Sequence, residues 1–403
     1  MPPLQTSASQ SRVVGTLGTA QTLAWASSYY LPAMLATPMA SELGLPAPTV
    51  YAAFSVALVA SALIGPWAGH AIDRHGGRAV LTGTSLLFAS GLAMLGLAQG
   101  PWSMFAAWLV IGVAMGAGLY EAAFSSLVRL YGLHARGAIT GITLIAGFAS
   151  TVGWPMSAWM ETEFGWRGAC FGWAALHLLI GLPLNAWLPR ASVGLPVERP
   201  VTHESRPVDA PLPAKPESPG LTTALLAFVF AATWFISTAM ATHLPRMLEA
   251  TGASLAAAVG VGALIGPAQV AGRVLEFSFL RGVHPLLSAR LAALAHPAGV
   301  AILLMAGPAF APAFAILHGA GNGILTIAKG TLPLVLFGTQ GYGARQGWLM
   351  MPARVAQALA PFLFGLALDA WGANALWLSG ALGSAAFGAL IVLRARPTPV
   401  RPA

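Results

Sequence analysis

Arg273, Lys329 and Arg354 each lie inside a long apolar stretch of a 403-residue chain. A cation near the middle of a membrane helix costs about 2.5–3.5 kcal/mol on insertion scales, so such residues face a polar cavity and mark a ligand path. Arginine's planar fork suits a carboxylate, which it grips through two parallel hydrogen bonds. Cations that converge from different helices would build a positive chamber selective for an anion. Glu121 is the one carboxylate deep in an apolar run. It is a candidate proton-coupling site, or a structural partner of Arg129 or of a cation on a neighbouring helix. Arg273 has its own alternative, an i,i+3 pair with Glu276. Lys329 could instead snorkel to a surface if its helix ends early. Trp25, Tyr29, Tyr30, Tyr120, Trp234 and Asn322 carry polar tips on apolar runs. They are candidate lining groups, against the plainer reading of helix packing or interfacial anchoring.

The elements that must position these residues are membrane helices. The chain is 57% hydrophobic and 8% charged, against about 25% charged residues in soluble domains. Twelve apolar runs have about the 20 residues needed to cross a bilayer: 14–38, 48–71, 79–98, 102–127, 138–160, 167–188, 221–243, 254–278, 285–306, 310–333, 346–368 and 373–393. Pro32 is expected to kink the first. The segment 190–219 holds seven prolines between Pro196 and Pro219 together with Glu198, Arg199, Glu204, Arg206, Asp209, Lys215 and Glu217. Such a stretch cannot bury a core and reads as a linker. The expected organisation is a six-helix bundle over 1–189, a cytoplasmic linker over 190–219 and a second six-helix bundle over 220–403. A shift of 206 residues superimposes Gly76 on Gly282, Gly132 on Gly338, Gly141 on Gly347 and Pro155 on Pro361, which fits two parallel halves with a site between them.

Lys and Arg placement sets the expected orientation. With the N-terminus inside, fifteen fall in the cytoplasm: Arg12, Arg74, Arg78, Arg129, Arg136, Arg190, Arg199, Arg206, Lys215, Arg281, Arg290, Arg345, Arg394, Arg396 and Arg401. Only Arg167 and Arg246 fall outside. No cleavable leader is expected, because residues 1–12 are polar and the first apolar run is long enough to stay as a span. The expected location is a bacterial inner (plasma) membrane, multi-pass, with both termini cytoplasmic.

Other classes are disfavoured. The +8 net charge is scattered over short loops, without the basic stripe of a nucleic-acid binder. No His, Cys, Asp or Glu set has metal spacing, and the glycine runs lack a phosphate-loop lysine. His177 and His318 read as satisfied core histidines. Cys170 stands alone, which excludes an intrachain disulfide. No cofactor and no enzymatic constellation is expected.

The loop after the second run reads Gly69-His70-Ala71-Ile72-Asp73-Arg74-His75-Gly76-Gly77-Arg78. Gly76 and Gly77 allow a very tight turn, and Asp73 can accept hydrogen bonds from a neighbouring helix N-terminus. This loop resembles the signature of the major facilitator superfamily. The resemblance implies an all-α fold of twelve transmembrane helices in two pseudo-symmetric bundles, with Gly69, Asp73, Arg74, Gly76 and Arg78 as a conformational latch. Gln269-Val270-Ala271-Gly272-Arg273 and Gly347 to Arg354 are similar to the segments in which oxalate/formate antiporters place a Gly-Arg in helix 8 and an Ala-Lys in helix 11. The Gly-Arg also resembles the helix 8 arginine of the monocarboxylate transporters. Gln269 stands where those transporters carry an aspartate, and the first run has no lysine.

The resulting expectation is a monomeric secondary carrier of a small organic anion, a carboxylate, working by alternating access as a symporter with protons or an exchanger with a counter-anion. Arg273, Arg354, Lys329, Tyr29, Tyr30, Tyr120, Trp234, Asn322 and Gln269 are the substrate-binding candidates, and Glu121 is the coupling candidate. A proton-coupled exporter of drugs or metabolites and a non-transporting membrane sensor remain open alternatives.

Overall fold

In a membrane every backbone polar group must be satisfied within the segment, which leaves a chain of this hydropathy the choice of helix or closed barrel. The computed structural model describes residues 7–190, 219–280 and 282–393, and among them there is helix and no strand. The linker segment 191–218, with Arg199, Arg206 and Lys215, lies outside the described residues, as do Arg281, Arg394, Arg396 and Arg401.

In the first half the helices are α1 (Ser7–Ala26), α2 (Leu31–Glu42), α3 (Ala47–His75), α4 (Gly77–Gly96), α5 (Pro101–Gly118), α6 (Tyr120–Tyr131), α7 (Ala135–Ala146), α8 (Ala149–Leu176) and α9 (Leu182–Ala186). The second half has α10 (Pro219–Ala250), α11 (Leu255–Leu275), α12 (Pro285–Ala306), α13 (Ala311–Phe337), α14 (Tyr342–Trp371) and α15 (Ala375–Val392). Pairs of these join end to end, and Gly165 (φ 70°) divides α8 in two, so the helices make twelve passes, six in each half. Pass 1 is α1 with α2, pass 4 is α5 with α6, and pass 5 is α7 with α8 up to Phe164. Pass 6 runs from Trp166 through a π-turn at His177–Gly181 into α9. The 206-residue repeat has a backbone counterpart: Gly132 (φ 58°) closes α6 and Gly338 (φ 77°) closes α13, at equivalent places in the two halves.

Three of the expected runs, 14–38, 102–127 and 138–160, are interrupted, all of them in the first half, and only the first break is foreshadowed, by Pro32. Pass 1 opens at Ser27–Tyr30. Ser27 Oγ donates to the Leu23 carbonyl at 2.8 Å and Ser28 Oγ to the Ala24 carbonyl at 2.5 Å, so side chains compete for acceptors the helix would use. Pro32, four residues after Ser28, cannot donate the bond that would carry the helix on, and it occupies the first turn of α2 instead. Pass 4 breaks at Leu119, whose φ and ψ of −83° and −164° are extended. Gln21 Nε2 takes up the Gly118 carbonyl at 2.7 Å. Pass 5 breaks at Gly147 and Phe148.

The halves meet along α3 and α14. Gly69 lies so close to the Gly343 carbonyl, and Gly347 to Pro66, that a Cβ at either glycine would collide with backbone. Where this seam ends, the Asp73 carboxylate accepts from the Gly343 and Ala344 amides at 2.9 and 3.0 Å, capping the N-terminus of α14 from the opposite half. Gly76 (φ 82°) then turns the chain directly into α4. Arg74 is exposed and Arg78 half-buried beside that turn. A second tie lies at the same end. Arg136, at the start of α7, pairs with Glu276 at 2.7 Å and donates to the Leu280 and Val283 carbonyls at 3.0 and 2.7 Å. Glu276 therefore does not pair with Arg273. The α-helix ends at Leu275 and a π-turn begins at Glu276, which rotates the carboxylate off the i,i+3 face. At the other end the described ion pairs, Arg167–Glu42 and Arg246–Asp369, each stay within one half. There the exposed Glu42 carboxyl is held below its usual range by hydrogen bonds from Arg167 and Trp166.

Candidate functional site

The expected cations come from three helices of the second half, α11, α13 and α14, with α13 in contact with both of the others. Arg354 lies twelve residues into α14 and is 2% exposed, Lys329 on α13 is 4% exposed, and Arg273 near the end of α11 is 6% exposed. Lys329 does not snorkel, because α13 continues to Phe337 and encloses it.

Arg354 Nη2 donates to both oxygens of Glu121 at 3.0 Å, and Nη1 donates to Gln357 Oε1 at 3.0 Å. The break at Leu119 makes this possible. It places Glu121 in the first turn of α6, where the helix dipole favours a carboxylate, and aims it at the other half. Of the two roles open to Glu121, the structure supplies the neighbouring-helix cation as partner, not Arg129. Lys329 is within Coulomb range of Arg354, Glu121 and Arg273. Its ammonium sits 4.1 Å from the centre of the Trp234 ring and has no hydrogen-bond acceptor among the described residues. The Arg354 guanidinium also faces rings, 5.2 Å from Trp234 and 5.9 Å from Trp25.

Aromatic groups of passes 1, 4 and 7 wall this centre. Trp25 lies 4.9 Å from Tyr120, 5.3 Å from Tyr29 and 6.3 Å from Trp234, with the two indoles parallel to within 5°. Tyr29 touches Tyr30, Phe54 and Trp234. Tyr29, Tyr30 and Trp234 are half-buried, whereas Trp25 and Tyr120 are enclosed. Three buried donors end here without an acceptor among the described residues, Trp25 Nε1, Trp234 Nε1 and Gln357 Nε2, against one unpaired acceptor, Gln346 Oε1.

Not every expected residue joins this group. Arg273 Nη1 donates to the Thr143 carbonyl at 3.0 Å, over Gly147, where a Cβ would collide with the guanidinium. It holds the broken end of α7 from across the interface. Asn322 donates to Ser237 Oγ at 3.1 Å and borders a small cavity inside the second half with Thr233, His296 and His318, away from Arg354. Gln269 is half-buried where the α11 backbone packs on Gly323 of α13. His318 bonds His296 at 3.0 Å and His177 bonds Ser27 Oγ at 2.7 Å, as expected for satisfied core histidines. The residues that sequence reasoning passed over are Gln357, Gln346 and Thr143. Gln357 was within reach, since it stands three residues after Arg354 and so shares its helix face. Gln346, which donates to the Lys329 carbonyl at 3.0 Å, carries no such signal.

The family model of the Major Facilitator Superfamily matches residues 17–332. The chain belongs to that superfamily. Solved structures agree with the fold. The chain is 14% identical to the E. coli fucose:proton symporter FucP, with 94% of this chain and 98% of that one covered and a TM-score of 0.71. It is 16% identical to the human organic anion transporter TETRAN, covering 97% and 100% of the two chains at a TM-score of 0.66. The proton:xylose symporter XylE is 13% identical over 94% and 95%, with a TM-score of 0.71. This superfamily member is therefore an integral multi-pass membrane protein and a transporter rather than an enzyme. The branch of oxalate/formate antiporters and monocarboxylate transporters is not distinguished by these matches.

Proposed function

We propose that the protein is a secondary carrier of a small organic anion, a carboxylate, bound between the halves at Arg354 and Lys329. One observation carries this reading. With Lys329 protonated, Arg354, Lys329 and Glu121 sum to one positive charge, and the unpaired buried donors beside them, Trp25 Nε1, Trp234 Nε1 and Gln357 Nε2, outnumber the one unpaired acceptor, Gln346 Oε1. Buried donors are normally satisfied, and a carboxylate supplies the acceptors that this group lacks. A neutral sugar could accept from these donors but leaves the charge standing.

Glu121 competes with the cargo for Arg354. Protonating Glu121 frees the guanidinium for an anion and links a proton to the cargo. The proton symporters among the similar folds lend support to symport, and exchange against a second anion uses the same competition. Residues 1–189 and 220–403 act as the moving halves, joined through 190–219. The Asp73 end, rich in Arg74, Arg78, Arg129, Arg136 and Arg345, is taken as cytoplasmic, which makes the conformation described here closed to the cytoplasm. The reading includes a monomer in a bacterial inner membrane.

The test is transport by the purified carrier in liposomes, with small mono- and dicarboxylates competing against a neutral sugar and an organic cation. Competition by carboxylates alone is expected. Competition by neutral or cationic compounds without carboxylates overturns the reading in favour of an exporter. No movement of any compound under any gradient favours a sensor.

A further inference from the structure

Resting on that reading, we propose that the cargo is an aromatic monocarboxylate: one negative charge on a flat, apolar ring. Charge balance comes first. Glu121 already offsets one of the two central cations, and Arg273 is held on the Thr143 carbonyl. While Glu121 stays ionised, one monoanion at Lys329 makes the Lys329, Arg354 and Glu121 group neutral.

The position of the unmatched cation comes second. Lys329 lies on the face of Trp234, so a carboxylate that reaches the ammonium brings its own body against that indole. Trp25, Tyr29 and Tyr120 continue the wall, with centroid distances of 4.9–6.4 Å among the rings. Rings in contact gain from offset or edge-to-face geometry beyond the burial of their area, which a saturated body of the same size does not. The half-buried edge formed by Tyr29, Tyr30 and Trp234 is the side from which the ring enters. The unpartnered indole N–H groups of Trp25 and Trp234 supply further donors, so a ring bearing a hydroxyl or carbonyl acceptor fits as well as an unsubstituted one.

The experiment is binding to the purified full-length carrier, by thermal shift and calorimetry, with benzoate, cyclohexanecarboxylate, acetate and oxalate as probes. The expected result is benzoate at least about tenfold tighter than cyclohexanecarboxylate, from two or more ring contacts. Oxalate should be weaker than benzoate. Trp234→Leu should erase the gap between benzoate and cyclohexanecarboxylate, and Trp234→Phe should restore most of it. Equal or tighter binding of cyclohexanecarboxylate, acetate or oxalate overturns the aromatic assignment while an anion site stands. Failure of all four probes to bind overturns the anion reading itself. Because Trp234→Leu could unfold the carrier, the ranking of the probes on the unaltered protein decides the matter alone.

Discussion

Glu121 and Arg354 join the two halves at mid-height through one guanidinium nitrogen shared between both carboxylate oxygens, each at 3.0 Å. The side chains are 14% and 3% exposed, so each charge depends on the other. Removing one partner of a buried pair destabilises by about 3–5 kcal/mol, because a lone charge remains. Arg354→Ala should therefore abolish anion binding and lower the melting temperature. The double variant Arg354→Ala with Glu121→Gln should recover stability without recovering binding. Thermal unfolding with and without benzoate separates the two effects, and unchanged uptake by Arg354→Ala would refute its role.

Glu121→Gln should keep exchange and lose the dependence of transport on pH, because a permanently neutral side chain leaves Arg354 free at every pH. Affinity for the anion should rise. An unaltered pH profile of uptake in liposomes would make Glu121 a structural partner only.

Lys329 gives the opposite balance of stability and function. It is buried on an indole with no oxygen acceptor among the described residues, an unfavourable place for a charge. Lys329→Met should abolish binding and raise the melting temperature by a few degrees, since about 1 kcal/mol moves it by roughly 2–4 °C in domains of ~200 residues. A drop in melting temperature would mean that the ammonium has a partner which stabilises it.

Asp73→Asn removes the charge from a cap that reaches across to α14. A loss of about 1 kcal/mol shifts an equilibrium roughly fivefold, here toward opening at the Asp73 end. A cysteine at position 346, in a Cys170→Ala background, reports it, because Gln346 is 1% exposed when that end is closed. Faster labelling is expected, and an unchanged rate would leave Asp73 without a part in closure.

Gly69→Ala should act in the same direction and more strongly. The added methyl meets the Gly343 carbonyl backbone, which cannot turn aside, so α3 and α14 must separate. Labelling at position 346 should rise above the Asp73→Asn level, and transport should fall with it.

The twelve passes were legible in the sequence because lipid imposes length and polarity rules on each segment separately, and the Asp73 loop was legible through its resemblance to a family signature. The three helix breaks were not. Ser27 to Tyr30, Leu119 and Gly147 sit in runs apolar enough to read as continuous, and only Pro32 hinted at the first. The identities of the central cations were legible from cost alone. Their partners were not, because Glu121 reaches Arg354 across 233 positions and Arg273 finds Thr143 across 130. Local spacing offered Glu276 for Arg273, and a π-turn, which apolar periodicity does not announce, gave Glu276 to Arg136. Asn322 was indistinguishable from a lining residue because a helix pattern says which residues share a face and not which neighbour that face meets.

The interruptions in passes 1, 4 and 5 all belong to one side of the molecule, while α10, α11, α13 and α14 run unbroken to mid-height and beyond. On the proposed reading the cargo lies between a jointed half and a stiffer one. Each joint lies beside a residue that touches the charged centre or ties the interface, so the jointed side can bend at the height of the cargo without disturbing its own ends. On that reading the two moving halves differ in kind: the first can flex at mid-height as it moves, and the second moves as a stiffer piece.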